Sequence, residues 1–439
     1  MPYADTWLLA RLLNLAMLTA ALAAGVMRPE TAQAQLLSTL FPDGVPGYGS
    51  APGVTVLSRA RPAFAPPGLR AGSLILHPLL LESFGFDSAP PVGGPSGSWE
   101  VITQPSLAVT SDWSRDAIGA FLSASDTGYL SRQTRHTTDG TVSVGGAVDI
   151  GRDQLTLGAA HLSRHEDQTQ LAALASDSPI VFRVDDVRAS YAATFGRWTA
   201  TPAFEAASWQ YGDATVMSIP VSQSYRDRTT LQGGLTLRYE WAPLRNLVLV
   251  TRALGQHYIR LTPGQAQEDS TGYQMLAGFD DDQDAIWRYR LLMGVETRQF
   301  SDSAVPSHTG LIAEAQVIWS PSALTTISAT LSRRLEDAAQ EGVAGFTYTG
   351  ATLSIDHECL RNLLLNLSGG AQHAAFLQSG GEQVAYTMGI GLTWLMNRSI
   401  RVSATYGLAA LRNTQMPASA SVSGDTTRSL ALLNLRFGL

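Results

Sequence analysis

Residues 226–241 read RDRTTLQGGLTLRYEW, and their side chains sort by parity. Leu231, Leu235, Leu237, Tyr239 and Trp241 fall on odd positions; Arg226, Arg228, Gln232, Thr236, Arg238 and Glu240 fall on even ones. Successive side chains of a strand point to opposite faces, so a period of two gives one apolar face and one charged face. The segment is also long. Strands of soluble domains usually run to about 5–6 residues, whereas a tilted strand needs about 9–11 to cross a bilayer.

The pattern recurs along the chain. In WRYRLLMGVETRQ (287–299), Trp287, Tyr289, Leu291, Met293 and Val295 oppose Arg288, Arg290, Glu296 and Arg298. In VAYTMGIGLTWLM (384–396), Val384, Tyr386, Met388, Ile390, Leu392 and Trp394 oppose Thr387, Gly389, Gly391 and Thr393.

The connections between such segments alternate in length. Short ones are WSRD (113–116), IGRD (150–153), FGRW (195–198), APLR (242–245), DDQD (281–284), SPSA (320–323), HECLR (357–361) and MNRS (396–399). Longer polar ones fall at 166–179, 212–225, 261–270, 301–308, 337–344 and 412–427. Tight turns at one end and larger loops at the other predict a transmembrane antiparallel β-barrel. One set of strands is expected near 72–86, 116–130, 154–165, 198–211, 246–260, 285–299, 324–336, 362–378 and 399–411. The returning set is expected near 98–113, 139–150, 180–195, 226–241, 270–280, 309–319, 345–356, 383–396 and 428–439. That makes eighteen strands, with both termini on the periplasmic side. Pro78, Pro105 and Pro202 fall inside expected strands, where each removes a ladder donor, and leave a count of sixteen open.

Trp113, Phe195, Trp198, Trp241, Trp287, Trp319 and Trp394 sit beside the short turns. Rings with an apolar body and a polar edge favour the membrane–water interface. The competing reading, aromatic plugs in a soluble sandwich, does not explain their repetition beside successive turns.

The whole-chain properties fit. The 439 residues are 45% hydrophobic and only 15% charged, with a net charge of −7 that argues against a nucleic-acid partner. Every basic residue is arginine. Cys359 is the only cysteine, which excludes an intramolecular disulfide and a cysteine-rich metal site. Residues 1–34 read as a secretory signal for Sec export: Arg11, then LLNLAMLTAALAAGVM, then an A-x-A site with cleavage after Ala34. Residues 35–71 are Pro- and Gly-rich and are expected to form an extended, poorly structured periplasmic lead-in to a barrel over 72–439.

Placing the apolar face toward lipid turns Arg188, Arg228, Arg238, Arg252, Arg260, Arg288, Arg290, Arg298, Arg334, Arg401 and Arg436 toward the lumen, with Glu205, Glu296 and Glu314. An arginine at the lipid midplane would cost about 2–4 kcal/mol. Inward arginines can select anionic solutes; alternatively they pair with carboxylates and only brace the wall.

No chemistry rises above this background. His161 and His165 would lie about 13 Å apart on a strand, too far to share an ion. HEC (357–359) is expected in a solvated turn, and DDDQD (280–284) lacks EF-hand spacing. There is no G-x-S-x-G nucleophile motif. No enzyme activity, metal or cofactor is expected.

GVTVLSRARPAFAPPGLRAGSLILHPLLLESFGFDS (53–88) resembles the start of the family named Putative β-barrel porin type 2, through Val54, Arg59, Arg61–Pro62, Pro67–Gly68, Gly72–Ser73 and Phe86–Asp87–Ser88. SYRDRTT, DSTGY, VIWSPSALTTISATLSRR and DHECLRNLLLNL resemble its later strands and turns. Ala65–Pro66, Ala89 and Cys359 depart from it. The resemblance implies a Gram-negative outer-membrane barrel, often associated with exopolysaccharide biosynthesis. It also implies membrane lipid, the barrel-assembly machinery, a polysaccharide and periplasmic export components as partners. The expected function is porin-like passage or export of a hydrophilic solute. A non-conducting docking barrel and a soluble secreted all-β protein are the alternatives. Leu433, Leu435, Phe437 and Leu439 alternate with Asn434, Arg436 and Gly438, and are expected to face lipid from the strand that closes the barrel.

Overall fold

The computed structural model describes residues 45–46, 54–89, 97–131, 136–166, 169–216, 218–243, 245–260, 268–281, 286–303, 305–339, 343–377, 380–414 and 424–439. The expected secretory signal and its cleavage site at Ala34 lie outside them.

Eighteen long strands form the wall: β2 (Leu74–Asp87), β3 (Ser98–Ser111), β4 (Ala117–Tyr129), β5 (Thr137–Ile150), β6 (Asp153–His165), β7 (Val181–Phe195), β8 (Trp198–Tyr211), β11 (Arg228–Ala242), β12 (Arg245–Tyr258), β13 (Ser270–Asp281), β14 (Trp287–Phe300), β15 (His308–Ser322), β16 (Thr325–Glu336), β17 (Phe346–Leu360), β18 (Leu363–Phe376), β19 (Glu382–Leu395), β20 (Ile400–Thr414) and β21 (Thr426–Gly438). A short β1 (Leu69–Ala71) folds back on the start of β2, and β9 (Ala214–Val216) and β10 (Ile219–Val221) make a small hairpin in the loop after β8. Each wall strand pairs antiparallel with the next, and β2 pairs with β21 from Leu79↔Gly438 to Asp87↔Leu430. The barrel is therefore closed, with every edge satisfied, as a strand in hydrocarbon requires.

The expected strands are all present. The three prolines fall at gaps in a ladder or at its end and do not end strands. Pro78 stays in register with Leu107 on β3, and on its other side it lies just before the β2–β21 ladder, which starts at Leu79↔Gly438. Pairing of β3 with β4 skips from Thr103↔Asp126 to Ser106↔Ser123, leaving Pro105 out. Pairing of β7 with β8 skips from Ser190↔Ala203 to Ala193↔Ala200, around Pro202. A missing donor costs little where no acceptor faces it, so the count is eighteen.

The short turns and the C-terminal end of β21 lie at one end of the barrel, here the terminal end; the longer connections lie at the loop end. In FGRW, Gly196 takes φ +63°, the left-handed conformation that a two-residue hairpin turn demands. The HECLR segment differs from its expectation as a solvated turn. β17 runs on to Leu360, and Glu358 stands on its inner face. Of the lead-in, Val56 is buried and residues 69–71 form the short β1 that pairs with β2.

Candidate functional site: the lumen and its two mouths

Side-chain parity fixes the two faces of the wall. Leu231, Leu235, Tyr273, Met275, Met293, Leu311, Met388 and Leu433 are exposed on the outside. On the outside too, at the terminal end, stand Phe195, Trp198, Trp241, Trp287 and Trp394, with Trp319 stacked on Trp287 at 5.2 Å. Trp113 is exposed two residues past the end of β3. A second aromatic group, which the short-turn criterion missed, lies toward the loop end: Trp99 stacks on Phe84 at 5.0 Å and meets Phe86 edge-on at 5.5 Å. Leu435 and Phe437 share the outer face of β21 with Leu433, and Leu439 is exposed just beyond its end.

Ten of the eleven expected arginines lie on the inner face. Arg260 does not: β12 ends at Tyr258, and Arg260 is exposed in the loop beyond it. The strand's alternation was extended two residues too far.

From mid-height toward the terminal end several inner charges are paired. Arg188 donates to Asp186 at 3.0 Å and to Glu205 at 3.3 Å. Asp280 accepts from Arg238 at 2.6 Å and Asn246 at 3.0 Å, with Arg290 at 3.9 Å. Arg252 reaches Glu314 at 2.5 Å. That pair links β12 to β15 and so passes over β13 and β14, where the inward Leu276 and Leu292 are buried. With Val248, Val250 and Ile312 these form an apolar patch on the inner wall. Strict assignment of apolar residues to lipid did not anticipate it; long ion pairs laid across a wall can shelter apolar side chains beneath them.

At the loop end, connections fold inward. The connection between β6 and β7 carries Leu171 and Ala172 to Phe346, Tyr348, Ala374, Phe376, Ala385 and Leu411, on the inner faces of β17–β20. The Ala172 N–H donates to the buried Gln383 Oε1 at 2.7 Å. Seven wall strands (β8 to β16) separate the two anchorages on one side and five (β5 to β2, and β21) on the other, so this loop spans the lumen. Leu174 continues the contact to Ala339, in the loop after β16. Beside it Asp337 accepts from Gln256 at 2.6 Å and Arg298 at 2.7 Å, and lies 3.5 Å from Arg228. Arg298 also meets Glu296 at 3.3 Å, and Arg334 pairs with Glu336. Arg226 stacks 3.9 Å above the Tyr211 ring and pairs with Glu166. Burial pulls the Arg226 guanidinium down, but Glu166 and then Tyr211 outweigh it, and its pKa lies above the ordinary arginine value.

The terminal end is lined by the lead-in. Val56 packs on Leu364 and Leu395 with Phe64, and its N–H donates to Thr326 Oγ1 at 3.1 Å. Arg59 and Arg61 pair with Glu358, the latter at 2.9 Å. Arg288 donates to the Val54 carbonyl, and Arg401 to the Phe64 carbonyl at 3.1 Å. Farther in sequence from the wall, Val45 packs against Leu162, Phe182, Val184 and Trp209 on the inner faces of β6–β8. The Pro46 carbonyl oxygen lies 1.7 Å from where a Cβ on Gly145 would stand, so only glycine admits the chain there.

His161 and His165 do not come together: His161 pairs with Asp185 at 2.7 Å and His165 with Asp139 at 2.7 Å. Among the described residues no cluster of three or more His, Cys, Asp or Glu is placed to hold a metal ion.

Residues 61–436 match the family described as "Putative beta-barrel porin 2". No curated protein matches the chain. Among solved structures, OccAB3 of Acinetobacter baumannii is similar at 10% identity over 84% of this chain and 100% of that chain, with a TM-score of 0.44. OccK2 (OpdF) of Pseudomonas aeruginosa is similar at 10% identity over 83% of this chain and 98% of that chain, TM-score 0.44. A mutant of the ferric enterobactin receptor PfeA of Pseudomonas aeruginosa is similar at 8% identity over 84% and 81%, TM-score 0.42.

Proposed function

The chain belongs to the Putative beta-barrel porin 2 family, and from that premise we propose that its outer-membrane barrel passes a hydrophilic solute, with exopolysaccharide export as its role. The observation that carries this reading is the division of the wall: an outer face apolar and ringed with tryptophan, and an inner face of arginines and carboxylates. A polar chain would meet there many weak, replaceable hydrogen bonds, and conduction needs sites weak enough to leave. An eighteen-stranded barrel is wide enough for an aqueous channel.

In this reading Sec exports the chain, cleavage follows Ala34, and the barrel-assembly machinery inserts it with the terminal end in the periplasm. Periplasmic export components would dock there. The barrel works without covalent chemistry and without a cofactor.

A second reading has its own support. The loop that spans the lumen and the lead-in in the other mouth favour a barrel closed at rest. It would then conduct only when displaced, or serve as a docking element alone. Single-channel recording in planar bilayers separates the readings. A stable current from the wild type supports an open pore. No current from the wild type, but current after Asp337→Asn, supports a gated one. Silence from both, with normal folding, refutes passage. For selectivity, Arg288→Glu with Arg290→Glu should shift an open pore toward cations; unchanged selectivity would exclude this pair as determinants.

A further inference from the structure

We propose that Arg401 and Arg436 form a binding site for an oxyanion, a carboxylate or phosphate group, on the inner wall beside the barrel seam. The two residues are directly opposed partners on β20 and β21, and both face the lumen near the terminal end. Opposed positions in an antiparallel pair place their side chains about 5 Å apart. Like charges so placed repel one another, so the pairing needs an explanation.

Inner-wall arginines elsewhere solve this problem with carboxylates: Arg188 with Asp186, Arg238 with Asp280, Arg252 with Glu314, Arg298 with Asp337. This row does not. Along it, Arg401 is flanked by Leu395 on β19 and Arg436 by Leu81 on β2. Glu358 is taken by Arg59 and Arg61. Arg401 spends one N–H on the neutral Phe64 carbonyl, at 3.1 Å. Among the described residues Arg436 has no hydrogen bond or ion pair.

Two planar guanidinium forks at this separation match the donor geometry that a carboxylate or phosphate accepts from both sides. An oxyanion bound between them would remove the repulsion and satisfy the free donors together. Its position is also informative. A solute entering by the terminal end would reach these two arginines close to the mouth, whereas at the loop end Arg226, Arg228, Arg298 and Arg334 are already paired with carboxylates. The site therefore suits an acidic solute, such as a chain bearing carboxylate groups. This deepens the channel reading for the solute class, but binding itself requires no transport.

The test uses the mature barrel in detergent micelles, with inorganic phosphate as the probe and sodium chloride at equal ionic strength as the reference. Thermal unfolding is read from heat-modified gel mobility. Phosphate should raise the wild-type transition in a saturable way. Arg436→Gln should melt no lower than the wild type in chloride, because it removes the repulsion, and should need about tenfold more phosphate for half effect, the loss expected for a charge-assisted contact. Arg436→Lys should keep part of the response. Equal phosphate responses in wild type and Arg436→Gln, or no saturable response in the wild type, would overturn the site. If Arg436→Gln fails to assemble, Arg401→Gln carries the same expectation. A response to an acidic peptide but not to phosphate would also overturn it, in favour of a protein partner at this rim. A phosphate response without channel current would keep the site and refute only transport.

Discussion

Closure of the barrel rests on a buried ion pair, and breaking it should have an asymmetric cost. Asp87, near the loop end of β2, is fully buried and accepts from Arg428 on β21, with Nε at 3.0 Å from both carboxylate oxygens and Nη2 at 2.7 Å from Oδ2. The two residues are 341 positions apart, so the contact joins the first long strand to the last. Glu100 and Tyr129 complete the cluster, and Glu100 is only 1% exposed. Removing one member of a buried pair strands the other charge and costs about 3–5 kcal/mol. Arg428→Gln leaves Asp87 and Glu100 as two buried carboxylates without their cation, so it should fall at the upper end. Asp87→Asn leaves Arg428 beside Glu100 and should fall at or below the lower end. The double variant Asp87→Asn/Arg428→Gln should recover part of the loss, since no buried charge pair is then half broken. Urea unfolding in detergent micelles, followed by tryptophan fluorescence, gives all three values. A loss below about 1 kcal/mol for Arg428→Gln, or a greater loss for Asp87→Asn, would refute the argument that this pair holds the seam.

Other consequences can be checked separately. Leu433→Arg, on the outer face near the middle of β21, should cost about 2–4 kcal/mol in lipid, whereas Thr330→Arg, exposed on the inner face of β16, should be near neutral; equal costs in vesicle refolding would invert the assignment of faces. Asp337→Asn withdraws the charge that holds Arg298 and Arg228 at the loop end, and should raise the fraction of time spent conducting at least tenfold, read from single-channel records. Arg59→Gln with Arg61→Gln removes both partners of Glu358 and should make the lead-in cleavable by added protease without changing heat-modifiable mobility. Unchanged protection would show that the Val56 and Phe64 contacts suffice.

What was legible in the sequence was local. Leu231 and Arg238 announce their faces because side chains alternate along a strand, and the Gly196 turn announces itself because a two-residue connection needs a positive φ. The pairing of Arg252 with Glu314, or of Asp337 with Arg298, was not legible beyond the inward direction of the wall residues. Alternation fixes a face and says nothing about the partner. Arg260 was misplaced for the related reason that parity continues in a sequence after the strand has stopped. The apolar inner patch around Leu276 escaped because burial beneath an ion pair depends on shear between strands.

The loops and the lead-in were harder still, and they bear most on function. Leu171 sits in a polar connection that reads as an external loop, yet its partners lie on strands more than 170 residues later. Val56 and Phe64 lie in a Pro-rich stretch that reads as a tether, yet they cover Leu364 and Leu395 at the mouth. In the first case the apolar run is only four residues long (171–174) and in the second the apolar residues are isolated, so neither shows a period, and only the closed barrel supplies the surface that buries them. The same comparison separates the two mouths. At the loop end Arg226, Arg228, Arg298 and Arg334 each meet a carboxylate, pairs that must break for the loops to move. At the terminal end, among the described residues, Arg288 and Arg401 are held only by backbone carbonyls of the lead-in, and Arg436 faces Arg401. An anion that competes for those guanidinium groups would weaken the grip on the lead-in, whereas at the loop end it would have to displace these carboxylates from their arginines. If the barrel opens in response to its solute, the terminal end is therefore the end from which an acidic solute can act.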